Sequence, residues 1–215
     1  MIPAMIVPIL TRPELLHRLL DSIDYPVRHL VIIDNGGVLP LGQQVVENVQ
    51  RTSVIHMPAN LGVSGSWNLG FKSAPMAPWW LVVNFDAWFP AGSLARFDNE
   101  ASRDALMLGG GAPPWCAFAV GDRALDAVGL FDEALHPAYF EDDDWLRRAK
   151  AAGVTVDRSD IPVHHDNSST LAAGYQRHND VTFQANADYY RDKVAREDYG
   201  PGGWSLERRR ALSWD

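Results

Sequence analysis

Cysteine is almost missing from this chain: Cys116 is the only one in 215 residues. That excludes a disulfide framework and a thiolate zinc site. Positive charge is also scarce, with 19 Lys and Arg against 27 Asp and Glu and a net charge of -8. A nucleic-acid binder needs a basic face to displace counterions, so no nucleic-acid partner is expected. No window approaches the ~18 consecutive apolar residues that a membrane span requires, so no integral membrane segment is expected either. Met1 to Leu10 carries Pro3 and Pro8 and no basic flank, unlike a signal peptide. A cytoplasmic location is the expectation. Gly109-Gly110-Gly111 shares only its glycine content with a phosphate loop, because no G-x-x-x-x-G-K-[ST] follows. Internal repeats are absent too.

What is present is enough for one sizeable core: 47% of the residues are hydrophobic. Ala4 to Leu10 is a near-continuous apolar run, as a buried parallel strand requires. Thr11 and Glu14 then have the spacing of a capping box, with Pro13 in the first turn of a helix. Leu15, Leu16, Leu19, Leu20 and Ile23 form its apolar stripe. A strand over Leu30 to Ile33 runs out into Asp34-Asn35-Gly36-Gly37. A short helix around Val45, Val46 and Val49 and a strand over Ser53 to Met57 follow. Alternating strands and helices predict an open α/β sheet with ligands beyond the carboxyl ends of the strands. Thr11, Arg12, Asp34 and Asn35 fall at such ends.

Farther on, Asn60 to Gly70 (NLGVSGSWNLG) is a Gly/Asn-rich stretch leading into a helix. By itself it reads more readily as a turn and cap than as a ligand loop. Trp79 to Val83 is another buried strand, ending in Asn84-Phe85-Asp86, and Pro90 to Arg103 reads as a helix. Trp115 to Val120 is a strand, and Arg123 to Val128 a short helix. Four consecutive acids, Glu141 to Asp144, sit between Tyr139-Phe140 and Trp145. Trp145, Leu146, Ala149 and Ala152 recur behind them at helical spacing, with Arg147, Arg148 and Lys150 placed on the opposite face. The acids therefore open a helix, where the dipole favours negative charge. Such a cluster is either a solvated helix start or a site whose proton affinities are raised for chemistry. Short strands over Val154 to Val156 and Ile161 to Val163 lead to His164-His165. In a strand these two histidines point to opposite faces, so at most one readily joins Asp86, and a lone histidine is more often structural than a ligand. Tyr175 to Ala195 reads as a polar helix with Phe183, Ala187 and Tyr190 on one side, and the tail after it has no readable role.

Taken in order, the segments IVPILTR, VIIDNG, NLGVSGSWNLGF, NFD, GLFDEALHPAYFEDDDWLRRAKAAG and VHHDNSST resemble the family 2 glycosyltransferases, particularly the rhamnosyltransferase-like branch. The resemblance covers most of Ile6 to Thr170. It implies a GT-A fold: a Rossmann-like, open mixed α/β sheet flanked by helices over residues 1–170, with a C-terminal helical appendage and tail over 171–215. It also implies an enzyme that moves a sugar, with inversion, from a nucleoside-diphosphate sugar to a hydroxyl of a glycan, lipid-linked or protein acceptor. A UDP- or dTDP-linked donor is favoured.

Residue by residue, the resemblance places Pro8, Leu10, Thr11 and Arg12 along the nucleotide, with Asp34 and Asn35 toward the base. Asn60, Gly62 and Asn68 fall on the ribose or diphosphate side. Asn84 and Asp86 occupy the DxD position, so Asp86 would hold a divalent metal, Mg²⁺ or Mn²⁺. His164 would assist it, with His165 as the substitute if the register slips by one. Glu141-Asp142 matches the family's Glu-Asp pair, making Asp142 the catalytic base. Trp115, Tyr139 and Asp144 would face the acceptor, Asp144 alternatively capping its helix. Asn84 departs from the pattern, because the first acid of DxD is replaced by a neutral amide. That feature keeps open an alternative of another class, a non-catalytic module of the same fold that binds a sugar nucleotide or a glycan.

Overall fold

The computed structural model describes residues 1–40, 45–166 and 176–202. Its frame is a seven-stranded sheet. In chain order the elements are β1 (Met5–Ile9), α1 (Pro13–Asp21), β2 (Val27–Asp34), β3 (Val49–His56), α2 (Gly62–Ser73), β4 (Trp79–Val83), β5 (Ala87–Trp88) and α3 (Ser93–Glu100). There follow β6 (Ala105–Leu108), β7 (Ala117–Gly121), α4 (Asp122–Val128), α5 (Glu141–Ala151), β8 (Thr155–Arg158), β9 (His164–His165) and α6 (Gln176–Ala195). The strand order is β3-β2-β1-β4-β7-β6-β8, with β5 and β9 paired separately. Only β7 runs against its neighbours. The sheet is mixed, as expected.

Period-two alternation divides the core into two layers. Met5, Val7 and Ile9 of β1, Leu30 and Ile32 of β2, and Leu81 and Val83 of β4 pack on one face with Leu15, Leu16 and Leu19 of α1 and Phe97 of α3. Ile6, Val31, Ile33, Trp80 and Val82 turn to the other face, against Trp67 and Phe71 of α2, Leu125 of α4 and Trp145 of α5. Each fully buried Val, Leu, Ile or Phe contributes about 1.5–3 kcal/mol, so both helical layers are held by the strands' apolar runs.

β2 and β4 flank β1 on opposite sides, which puts a topological switch point between β1 and β4. In open α/β sheets the crevice at such a point, beyond the carboxyl ends, receives ligands. Residues 10–12 after β1 and 84–86 after β4 lie there. Helix α5 also begins at this edge, because it returns to a strand, β8, that runs the same way as β4.

Several local expectations are corrected. The capping box at Thr11 does not form: Arg12 is the N-cap in a left-handed conformation (φ 55°), without a side-chain cap bond, and its Nε donates to Glu14 instead, at 3.0 Å. No helix spans Val45 to Val49; Val45 is exposed and Val49 already belongs to β3. Helix α3 covers only the centre of Pro90 to Arg103. A 3₁₀ turn at Pro114–Cys116 precedes β7, where a longer strand was expected. Ile161 and Val163 are buried without forming a strand. Part of the 171–215 extension and the segment 167–170 lie outside the described residues.

Candidate active site

At the end of β1, Pro8, Leu10, Thr11 and Arg12 are all partly buried at the sheet edge. Thr11 Oγ1 is buried without a hydrogen-bond partner, a cost of about 1–3 kcal/mol that a ligand would relieve. Asp34 behaves differently from expectation. It is fully buried, and its carboxylate accepts from the backbone N–H groups of Gly36, Val38 and Leu39. His56 Nδ1 completes the set at 3.0 Å. Burial pushes the Asp34 carboxyl up, but these hydrogen bonds more than offset it, leaving the group below its ordinary value. Asp34 builds the 34–39 loop and has no oxygen turned outward to a base. His56 was not anticipated; the only signal for it is that β3 ends beside β2, pairing Asp34 with His56.

The Asn residues are mostly structural. Asn35 donates to Ser66 Oγ (2.8 Å) and accepts from Leu61 N–H (3.0 Å), fixing the start of α2. Asn60 Oδ1 accepts from Gly62 N–H at 2.9 Å. Gly62 has φ +75°, and a Cβ there would lie 2.6 Å from His136 Nδ1 and 2.7 Å from Pro137 O. Only glycine lets α2 begin against that loop. Asn68 is fully buried and is bound to Phe131 at both its oxygen and its nitrogen, and to Glu133 Oε1. It ties α2 to the segment before α5.

Beyond β4, Asp86 is buried and its Oδ1 lies 2.9 Å from His165 Nε2. Asn84 Nδ2 is 3.5 Å from the same nitrogen. The partner of Asp86 is therefore His165, because β9 pairs antiparallel to β5 with Ala87 opposite His165 and Trp88 opposite His164. His164 instead lies exposed against Trp88, ring centroids 5.1 Å apart. Among the described residues no group of three His, Cys, Asp or Glu side chains could hold a metal. The donor set at Asp86 and His165 still fits a divalent ion. A carboxylate oxygen and an imidazole nitrogen lie side by side, 2.9 Å apart, and Mg²⁺ characteristically takes its remaining oxygens from phosphate and water.

The four acids open α5 as expected, but in four different states. Glu141 is buried with Oε2 unpartnered; burial and the neighbouring Asp142 push its carboxyl up to about 8. Asp142 is half-buried, and burial and the Asp143 charge raise it, against hydrogen bonds from backbone N–H groups. Asp143 is exposed. Asp144 is fully buried, accepts from Arg148 Nε at 2.8 Å and has Lys193 Nζ 2.8 Å from its Oδ1. Its carboxylate is thus held within the fold by two cations. Arg148 is not on a solvent face: it is 2% exposed and also donates to the carbonyls of Val128 and Leu130. Among the described residues no cation pairs with Glu141 or Asp142.

Tyr139 and Phe140 lead into this turn with φ of 78° and 72°, conformations that cost non-glycine residues of order 1–3 kcal/mol each. Tyr139 meets Phe183 of α6 edge to face at 5.2 Å. Trp115 stacks on Trp67 at 6.2 Å and packs edge-on to Phe118, so one side of its ring belongs to the core.

Residues 5–113, more than half of the chain, match the sequence profile of glycosyl transferase family 2. The chain belongs to glycosyltransferase family 2. The match ends before α5, so it covers the ends of β1 and β4 and leaves the acidic turn outside. No curated protein matches the chain by sequence. Among solved structures it is similar to the mannosyltransferase PcManGT from Pyrobaculum calidifontis in complex with GDP-Man and Mn²⁺ (TM-score 0.60, 13% identity, 97% of this chain and 67% of that one). It is also similar to S. aureus TarS 1-349 in complex with UDP-GlcNAc (TM-score 0.59, 17% identity, 81% and 62%). GalNAc-T7 with UDP, GalNAc and Mn²⁺ is a third (TM-score 0.58, 12% identity, 98% and 54%). This family 2 chain thus shares their GT-A fold while spanning 54% to 67% of their lengths. Among the described residues no helix is long and apolar enough to cross a membrane.

Proposed function

We propose that this chain transfers a sugar from a nucleoside-diphosphate sugar to an acceptor hydroxyl with inversion, and that Asp142 is the general base. The observation that carries the reading is the division of labour in the first turn of α5. Asp144 is neutralised by Arg148 and Lys193, Asp143 is solvated, and Glu141 is buried. Asp142 alone combines access with a raised proton affinity. Because Glu141 is pushed up to about 8, it holds its proton at neutral pH and spares Asp142 a second adjacent charge. Asp142 is then the carboxylate of the turn placed to accept a proton.

The donor lies across the β1/β4 crevice, along Pro8, Leu10, Thr11 and Arg12. The backbone loop shaped by Asp34 and His56 receives a base, with uracil or thymine favoured by the rhamnosyltransferase-like motifs. As the acceptor oxygen bonds to the anomeric carbon, its proton passes to the Asp142 carboxylate. The bond from that carbon to the diphosphate oxygen breaks, and its electron pair leaves with the nucleoside diphosphate. Asp86 and His165 would hold a divalent ion, Mg²⁺ or Mn²⁺, which when bound supplies countercharge to the diphosphate. Trp115 and Tyr139 are positioned for the acceptor, and residues 1–170 form the transferase unit to which 171–215 is appended.

The test measures donor binding and transfer separately in Asp142→Asn. Transfer should fall by roughly 10²–10⁴-fold, the usual contribution of a positioned base, with donor affinity within a few-fold. Unchanged transfer would remove Asp142 from the role. Wild-type protein that binds nucleotide sugars yet releases no nucleoside diphosphate with any acceptor would instead favour the binding module suggested by Asn84.

A further inference from the structure

The inward face of α6 is polar. Thr182, Asn186 and Lys193 form one stripe along it, each 1% exposed or less. Stability alone does not explain this choice, because a buried ion pair is often no better than apolar residues of similar volume. Their partners do. Asn186 Nδ2 donates to the carbonyls of His136 (3.2 Å) and Ala138 (2.8 Å). Tyr189 OH donates to Asp132 Oδ2 at 3.1 Å. Lys193 Nζ donates to the same oxygen at 2.6 Å and makes an ion contact with Asp144 at 2.8 Å, without hydrogen-bond alignment. Phe140, the left-handed N-cap of α5, stacks on Tyr190 at 5.7 Å and meets Phe183 at 5.2 Å. All these partners fall between residues 132 and 144, the segment that delivers Glu141 and Asp142.

We propose that Lys193 is a positioning residue for the transfer reaction: it clamps the 132–144 segment onto α6 and so fixes the first turn of α5. The inference rests on the role given to Asp142 above. Asp132, Asp144, Arg148 and Lys193 are all buried, two negative and two positive, so the set is electrically balanced. The other donors of Arg148 are spent on Val128 O and Leu130 O, so Arg148 cannot substitute for the ammonium. Without Lys193, Asp144 keeps Arg148 at 2.8 Å and Arg147 at 3.9 Å, but Asp132 becomes a buried carboxylate without a counter-ion among the described residues, and the 132–144 segment must shift to relieve it. The strained backbone at Tyr139 and Phe140 then loses the contacts that over-determine it. The ionisable groups around Asp142 are Glu141, Asp143, Asp144 and Arg147 on its own helix, and Tyr190 and Lys193 from α6.

The test uses the full chain with Lys193→Met and the charge-balanced double variant Lys193→Met/Asp132→Asn. In the single variant, kcat should fall at least about tenfold, as expected for a displaced catalytic group, with the donor KM nearly unchanged. The acidic limb of the kcat–pH profile should move to higher pH, because the loss of the Lys193 cation leaves the buried set one charge more negative near Asp142. The double variant should recover both in part. A folded Lys193→Met protein with wild-type kcat and pH limb overturns the proposal; if the single variant does not fold, a double variant without any pH shift or kcat loss does so. Amide hydrogen exchange gives a readout independent of turnover. Residues 139–144 should exchange faster in Lys193→Met while β1, β2 and β4 are unchanged, and equal protection there counts against the clamp even if no donor is turned over. Exchange that responds in a protein inactive with every nucleotide sugar would leave the clamp standing and remove the transferase reading.

Discussion

Glu141 and Asp144 lie three residues apart on α5 and are both buried, yet only Asp144 has its charge matched. Arg148 and Lys193 reach Asp144 at 2.8 Å each, whereas Glu141 Oε2 has no hydrogen-bond partner. The same turn of helix therefore carries one carboxylate held between two cations and one that resists charging. That asymmetry separates a scaffold acid from acids available for proton chemistry.

Glu141 makes stability fall with rising pH. Its folded-state value of about 8 lies above its ordinary 4.5, so between those values the folded chain holds a proton that the unfolded chain has lost. The slope of unfolding free energy with pH is then negative in that window and flat outside it. Glu141→Gln keeps the shape of the neutral acid and removes the titration. Thermal melts from pH 5 to 9 should show the wild type losing on the order of a few kcal/mol that the variant retains. Parallel melting curves for the two proteins across that range would contradict the assignment.

His165 and His164 should part company when each is changed to Ala. His165 Nε2 faces Asp86 Oδ1, and His164 packs on Trp88. The His165 variant should lose metal-enhanced binding of a nucleoside diphosphate by about 10-fold or more, the scale of a lost ligand or its support. The His164 variant should retain it within a few-fold. Calorimetric titration with and without Mn²⁺ reads the difference, and equal losses would show that the register of β9 does not select the ligand.

Gly62→Ala should destabilise the fold without touching a proposed reacting group. The position has φ +75°, and the new Cβ meets His136 Nδ1 at 2.6 Å and Pro137 O at 2.7 Å. Left-handed strain alone costs about 1–2 kcal/mol, and the backbone contact adds to it. A thermal midpoint lowered by several degrees is expected. A midpoint within one degree of wild type would mean that the loop before α5 yields freely.

The sheet was legible because its strands are apolar runs and its first helices carry clean stripes, as at Ile6 to Ile9 and Leu15 to Leu19. The acidic helix start was legible for the same reason. Residue type named many site residues without showing which way they turn. Asp34, Asn68 and Asp144 look like ligands in the sequence, but the backbone and Lys193 have claimed their polar atoms. The choice between His164 and His165 depends on a two-residue pairing with β5 that periodicity cannot resolve. Lys193 gave no local signal at all, because its partners lie 49 and 61 residues away in the chain.

Asp34 offers a way to separate shaping a nucleotide loop from contacting a base. Its carboxylate is buried and accepts from three backbone N–H groups and His56, which leave its folded value below the ordinary one. The sign is opposite to that of Glu141: the stabilisation is present above the unfolded value of 3.8 and is lost as pH falls through the folded value. Asp34→Asn should therefore lower the thermal midpoint at neutral pH and flatten its fall in acid. Since no carboxylate oxygen is turned outward, affinity for UDP, dTDP and GDP should drop together as the 34–39 loop loosens. A variant that keeps wild-type stability but loses only the uracil and thymine nucleotides would mean that Asp34 reads the base directly, and that the loop opens to let it do so.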